Sequence, residues 1–382
     1  MKTVNKNELM QDLNYLQKKL IEKHPNPFKY IKEGEFLSHI EEIIKDTNDM
    51  SIKEFGMKLM QLLASLNDGH TGLGLSFDVL GSLNCPFKFK YIYDGYYILS
   101  TSKKYKQYLG AKIIEINNLP MSKIEDLLHS LIPLDNEISL RYYLPSKIIE
   151  PVILNYFGIA NSNKIIIKLK KDNKEIKLEV AAQDYNIDLL DTEDTLNQSD
   201  FTLKKKGKYW IKDLLKLDAV YLQYNECEER KDYKMGEVVK NFKNFHRKNL
   251  IIDLRNNRGG DSDVLNPLLN HIKRHQDKIK TFVLAGTDTY SSAIYNLVQL
   301  AKYRNVITVG DIPHGNPTHY GQARKFRLPN SKLSIFTSTR TFTFKGYRLG
   351  ESFRPNYLVS QLPKELFKGK DTQFRYLSKN IL

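Results

Sequence analysis

The chain has 382 residues, 41% of them hydrophobic and 27% charged, which marks a globular protein with room for two or three domains. No apolar run reaches the length of a membrane span, and two cysteines, Cys85 and Cys227, are too few for a disulfide framework or a zinc cage and are expected as small apolar fillers. The net charge of +15 would suit nucleic acid, but the lysines are spread along the chain and no nucleic-acid-binding signature accompanies the longest run, Lys204 to Lys206, so no such partner is expected.

The N-terminal MKTVNKNELM lacks the apolar stretch of a signal peptide, which leaves a cytoplasmic chain or a mature form without its leader. Helical periodicity follows. Leu9, Leu13, Leu16 and Leu20 share one face, as do Phe55, Leu59, Leu62 and Leu66, and the second helix stops at Asn67-Asp68-Gly69. His70 therefore lies just past a helix end, where a side chain can be aimed.

From about residue 72 short aromatic-rich strands are predicted at 87–93 and 96–99, then a strand at 111–118. Ser122 and Glu125 read as the capping box of a short helix, and strands follow at 164–169 and 175–180. Residues 183–207 are polar and aperiodic, with Leu189, Leu190 and Leu196 as anchors, and read as a connection between domains. Beyond it strands at 220–224, 250–254, 281–285 and 306–310 alternate with helices near 233–247, around Leu265 to Ile272 and after Ser291, the pattern of an α/β layer.

Three places in this part have the residue types of a reactive site. LIIDLRNNRGGDS (250–262) runs a buried strand into Gly259-Gly260, which can be a tight turn or a nest of inward-pointing N–H groups that binds an anion; a phosphate loop would need a following Lys-Ser/Thr. Ser291 in DTYSSAIYNL (288–297) opens a helix, where a serine is first of all a capping residue, yet its hydroxyl also stands at the positive helix end. A nucleophilic serine needs a base, and His70 is the best placed of nine histidines, although a lone histidine after a helix is commonly structural. His314 and His319 could form a loop pair for a metal, but no third ligand accompanies them.

LLASLNDGHTGL (62–73), LIIDLRNNRGGDS (250–262), TYSSA (289–293), VITVGDIPHGNP (306–317) and SFRPNYLV (352–359) with GKD (369–371) resemble, in order, the blocks of the C-terminal-processing, or tail-specific, serine peptidases, and EKHPNPF (22–28) suits the same family. The resemblance implies an α/β fold: a ClpP/crotonase-like core over 186–382, an N-terminal helical region over 1–75, and a small β-rich, PDZ-like domain over 76–185. It implies hydrolysis of unfolded or C-terminally accessible polypeptides without a cofactor. Ser291 matches the nucleophile, and the backbone N–H of Ser292 would share the oxyanion hole with Gly259 or Gly260.

Two departures bear on mechanism. The family often has glutamate three residues after the nucleophile, where this chain has Ile294, and the lysine base of the Ser-Lys branch is replaced by Asn316. The resemblance is therefore to the tricorn-like Ser/His branch, with His70 as base and Glu351, or locally Asp68, as the orienting carboxylate. A catalytically silent member that binds peptide or a hydrophobic ligand in the same cleft stays open. The sequence leaves the oligomeric state undetermined.

Overall fold

Leu9, Leu13, Leu16 and Leu20 lie on one face of helix α1 (Lys6–Lys23) and are fully buried, as their spacing predicts. Its start is fixed by Asn5, whose side chain accepts from Glu8 N while Glu8 accepts from Asn5 N. The structure, a computed structural model, describes every residue except 1, 46–48, 75, 185–187 and 192–198. The chain divides into two compact units: Met1–Thr192 with His319–Phe342, and Glu193–Thr318 with Thr343–Leu382.

In the first unit α1, α2 (Glu33–Lys45) and α3 (Ile52–Ala64) precede an antiparallel sheet containing β1 (Phe87–Ile92), β2 (Gly95–Thr101), β3 (Lys112–Ile116), β4 (Lys164–Lys171) and β5 (Lys174–Ala181). In β4 the alternation of Ile165, Ile167 and Leu169 with more exposed residues directs one face into the core. The expected capping box at Ser122 is absent. Helix α4 (Met121–Leu128) begins one residue earlier, behind Pro120, so Ser122 is already inside it, and Glu125 instead accepts from the Tyr96 hydroxyl at 2.6 Å. Pro120 ends a hairpin with β3 and presets its own φ near −66°, which decides the start without a side-chain cap.

Residues 319–342 return to this unit from late in the chain. Asp12, buried in α1, accepts from Asn330 N at 2.7 Å and Ser331 N at 2.9 Å. The strand Ser334–Thr337 pairs with Gly72-Leu73, directly after the NDGHT motif.

The second unit is built on a six-stranded sheet in the order β6 (Tyr209–Leu214), β7 (Ala219–Tyr224), β8 (Asn249–Asp253), β9 (Lys280–Ala285), β10 (Val306–Gly310), β11 (Tyr357–Leu358). All neighbours are parallel except β6 and β7. Every residue of β7 is buried, because Val220, Leu222 and Tyr224 face one core and Ala219 and Tyr221 the other. Helices α5 (Met235–Phe245), α6 (Asn266–Arg274) and α7 (Ser292–Ala301) cover the first face, and α8 (Thr372–Asn380) contributes Leu377 to the second. Of the leucines expected to anchor 183–207, Leu189 is exposed and Leu196 lies outside the described residues.

The GKD segment ends in a buried ion-pair cluster. Asp371 caps α8 through Phe374 N and accepts from Arg255, which also grips Asp253 at the end of β8. Removing one partner of a buried pair leaves the other charge uncompensated, so Asp371→Ala is expected to cost about 3–5 kcal/mol in a urea denaturation series.

Candidate active site

The carboxyl ends of parallel strands β7, β8 and β9 deliver the loops that surround Ser291. This residue stands at the N-terminal cap of α7 with φ 50° and ψ −123°, and its side chain makes no capping hydrogen bond. Such a backbone is strained for any residue with a Cβ, and strain of this kind survives only where the surroundings over-determine it. The constraints are visible: Thr289 donates its hydroxyl to Leu254 O at 2.8 Å, Tyr290 N donates to Asn257 O at 3.0 Å, and the Tyr290 ring stacks on His314 at 4.3 Å. Among the described residues the Ser291 hydroxyl has no hydrogen-bond partner, so it is held at the helix end without being used by the helix.

Gly259 and Gly260 meet this serine loop. A Cβ on Gly259 would come within 2.9 Å of Ser291 Cβ and 3.0 Å of Ser292 N, and one on Gly260 within 2.4 Å of Cys227 O; both have positive φ. No other residue type fits either position without displacing backbone. Gly259 N donates to Asn257 Oδ1 at 2.9 Å, whereas the backbone N–H groups of Gly260 and Ser292 make no hydrogen bond among the described residues. Ser292 Oγ donates to Gly260 O at 2.6 Å, which tethers the two together. Two unengaged N–H groups beside an uncommitted hydroxyl at the positive end of a ten-residue helix can stabilise an oxyanion.

Asn257 organises this arrangement, and nothing in RNNRGG distinguishes it from Asn256. It is fully buried, and its Oδ1 accepts from Gly259 N and the Cys227 thiol. Its Nδ2 donates to Tyr224 O at 2.9 Å. Truncation would leave these groups buried without partners, so Asn257→Ala is expected to destabilise the fold by about 2 kcal/mol or more, read from the urea midpoint. Cys227 is no competing nucleophile, because burial pushes its thiol up to about 11.

His70 belongs to the first unit. Helix α3 ends where Asn67 turns left-handed at φ 49°, and Asp68 then binds its own loop: its carboxylate accepts from His70 N, from the Thr71 hydroxyl and from the buried His24 ring. Burial opposes the Asp68 charge, but His24, His70, Ser338 and Thr71 hold it down to about 2. The His70 ring stacks on His319 at 5.6 Å, and His319 in turn on Phe342 at 5.3 Å. Burial and the neighbouring His319 lower the His70 pKa to about 4, against the opposing pull of Asp68 and the Tyr320 backbone. Its Nδ1 lies 4.0 Å from Asp68 Oδ1, beyond hydrogen-bond length.

The remaining candidates fall as follows. Glu351, in the second unit, accepts from Arg348 N at 3.0 Å and faces the exposed Arg348 guanidinium at 3.5 Å. Asn316 is buried in the loop after β10, and adjoining Gly315 is pressed so closely on Tyr290 that a Cβ would meet its Cα at 3.0 Å. Ile294 is fully buried in the core under α7. His314 Nδ1 bonds to Thr287 O in the second unit, whereas His319 belongs to the first. No group of three or more His, Cys, Asp or Glu among the described residues is disposed to hold a metal ion. No described helix is long and apolar enough to cross a membrane.

The profile of peptidase family S41 matches residues 218–290, from β7 to the residue before Ser291. No curated protein sequence matches the chain. Among solved structures, mature CPAF complexed with lactacystin is similar at 13% identity with a TM-score of 0.70, over 95% of this chain and 96% of that one. Mature CPAF gives 12% identity and 0.69 over 98% and 96%. A candidate peptidase from Parabacteroides merdae gives 16% and 0.53 over 96% and 94%. At these identities the likeness is one of fold.

Proposed function

We propose that this chain, whose residues 218–290 match the profile of peptidase family S41, is a member of that family and cleaves unfolded or C-terminally accessible polypeptides through an acyl-enzyme on Ser291. The Ser291 hydroxyl attacks the peptide carbonyl while His70 takes its proton, and the N–H groups of Ser292 and Gly260 receive the developing oxyanion. His70 then protonates the departing amine. Water, deprotonated by the same ring, attacks the ester, and the acid product leaves with the serine proton restored. Gly259 acts through its shape, since its own N–H is engaged by Asn257.

Glu351 is the carboxylate proposed to steady the ring. Asp68 has its oxygens occupied by His24, Thr71 and His70 N and serves to shape the loop. The Ser/His assignment, the ClpP/crotonase-like character of the second unit and a PDZ-like role for the β-rich part of the first, receiving a substrate C-terminus, belong to the same proposal.

The observation that carries this reading is Ser291 itself: a strained backbone at a helix end, a hydroxyl that caps nothing, and two unengaged N–H groups alongside. Ile294 supports the silent-binder alternative little, because it is a core residue under α7. Labelling with a fluorophosphonate, followed by mass spectrometry, tests the proposal. An adduct on Ser291 is expected, and a folded protein that resists several such probes overturns it in favour of the binding module.

A further inference from the structure

In the second unit, away from the serine loop in sequence, a cavity of about 530 Å³ opens between the start of β6 and the loop 228–233. Its wall includes Trp210, the single tryptophan of the chain, and its rim carries four cations against one carboxylate, Asp232. Resting on the peptidase reading, we infer that this cleft is an exosite for polypeptide segments in which acidic side chains adjoin large apolar ones.

The cleft is built rather than incidental. Trp210 is held by Nε1 donating to Gln223 Oε1 at 2.8 Å and by edge contact with Phe201. The same buried Gln223 oxygen accepts from Lys206 N at 3.1 Å and Asn225 Nδ2 at 3.0 Å, and Asn225 Nδ2 also reaches Gly207 O at 2.9 Å. Floor and rim are thus tied to one side chain. On the far wall, Arg230 is fixed by Asp232, Tyr209 O and the Tyr209 and Tyr233 rings.

Its cations divide by their commitments. Arg230 is neutralised by Asp232, and Lys208 pairs with Glu228. Lys206 and Lys231 form no ion pair among the described residues, and the Lys206 ammonium lies 5.4 Å over the Trp210 ring. The result is a lining that combines one large aromatic ring with two cations outside any ion pair, Lys206 over that ring and Lys231 elsewhere on the lining, complementary to an apolar side chain flanked by carboxylates. The volume is that of a small-ligand pocket and accepts a few side chains. Single-stranded nucleic acid calls instead for successive aromatic platforms along a basic groove, and here one ring serves alone.

The sole tryptophan provides the readout. Full-length protein carrying Ser291→Ala is titrated with a blocked hexapeptide of alternating glutamate and phenylalanine while Trp210 emission is followed. Saturable change is expected, weakened at least tenfold when glutamine replaces glutamate, weakened by added salt, and weakened at least tenfold by Lys206→Gln with Lys231→Gln. Both lysines are exposed, and glutamine keeps the length of the aliphatic stem in part and the backbone N–H that Lys206 donates to Gln223. No saturable change, equal affinity for the glutamine peptide, indifference to the lysine substitutions, or tighter binding of a single-stranded oligonucleotide would each overturn the exosite. Because this readout needs no turnover, its failure is separate from a failure of fluorophosphonate labelling.

Discussion

Ser291→Ala is expected to lose fluorophosphonate labelling and to cut peptide turnover by about 10⁴-fold or more, while stability changes by no more than about 0.5 kcal/mol. A capping serine would behave in the opposite way, costing about 1 kcal/mol on truncation and leaving function intact. The hydroxyl makes no capping bond, so alanine removes nothing the fold uses, and the φ of 50° is as strained with alanine as with serine. Ser291→Gly separates strain from chemistry further. Glycine adopts this backbone freely, so the inactive variant should be more stable than the parent by about 1 kcal/mol in thermal unfolding.

Ser292→Ala provides the contrast. Its N–H remains, but the 2.6 Å bond from its hydroxyl to Gly260 O is lost, and with it the tether on the other oxyanion donor. Labelling on Ser291 should persist at a rate lowered by up to about tenfold, the equivalent of one hydrogen bond. Labelling that survives Ser291→Ala and disappears in Ser292→Ala would move the nucleophile by one residue.

What the sequence made legible was local. The buried strands of the α/β layer announce themselves by apolar runs, and Gly259-Gly260 by the backbone freedom that their positive φ requires. The motif NDGHT placed His70 past a helix end, and Asn67 does take the left-handed turn there. The surroundings of that histidine were not legible, because His319 and the strand Ser334–Thr337 arrive from some 250 residues later. Asn257 was hidden for another reason: polar residues in a polar loop carry no periodicity, and only burial separates it from its neighbour Asn256. The Ser122–Glu125 pattern misled because a capping box is a three-residue spacing that any hairpin ending in proline can override. Strand β6 escaped because it follows a polar connection and, on an edge of the sheet, sets two adjacent aromatics and two adjacent charges in YWIKDL, without the strict alternation that marks a strand.

His70→Ala is expected to remove most turnover, by about 10⁴-fold, whereas Asn316→Ala has a far smaller effect, since no lysine base stands at that position. The pH profile is the sharper test. From the sequence alone, activity should fall on acidification near the histidine reference value of about 6.5. The buried ring changes this. Burial first, and then the like-charged neighbour His319, disfavour the imidazolium, so His70 stays neutral and able to accept a proton down to about pH 4. The acid limb of kcat/KM, which reports the free enzyme, is therefore expected near pH 4.

Replacing His319 with phenylalanine keeps a stacked ring over His70 and removes the charge repulsion, so the limb should move upward toward 6.5. Stability follows its own sign. His70 has a folded pKa below its unfolded one, so as pH falls from about 6.5 to about 4 the unfolded chain takes up a proton that the native state refuses, and stability declines over that window. Asp68 contributes stability above its unfolded value of 3.8, and that contribution is lost as pH falls toward about 2. Between pH 4 and 6.5 the enzyme should thus become less stable while remaining active, and a limb that stays near 6.5 in the parent, unmoved by His319→Phe, would remove His70 from the role of base.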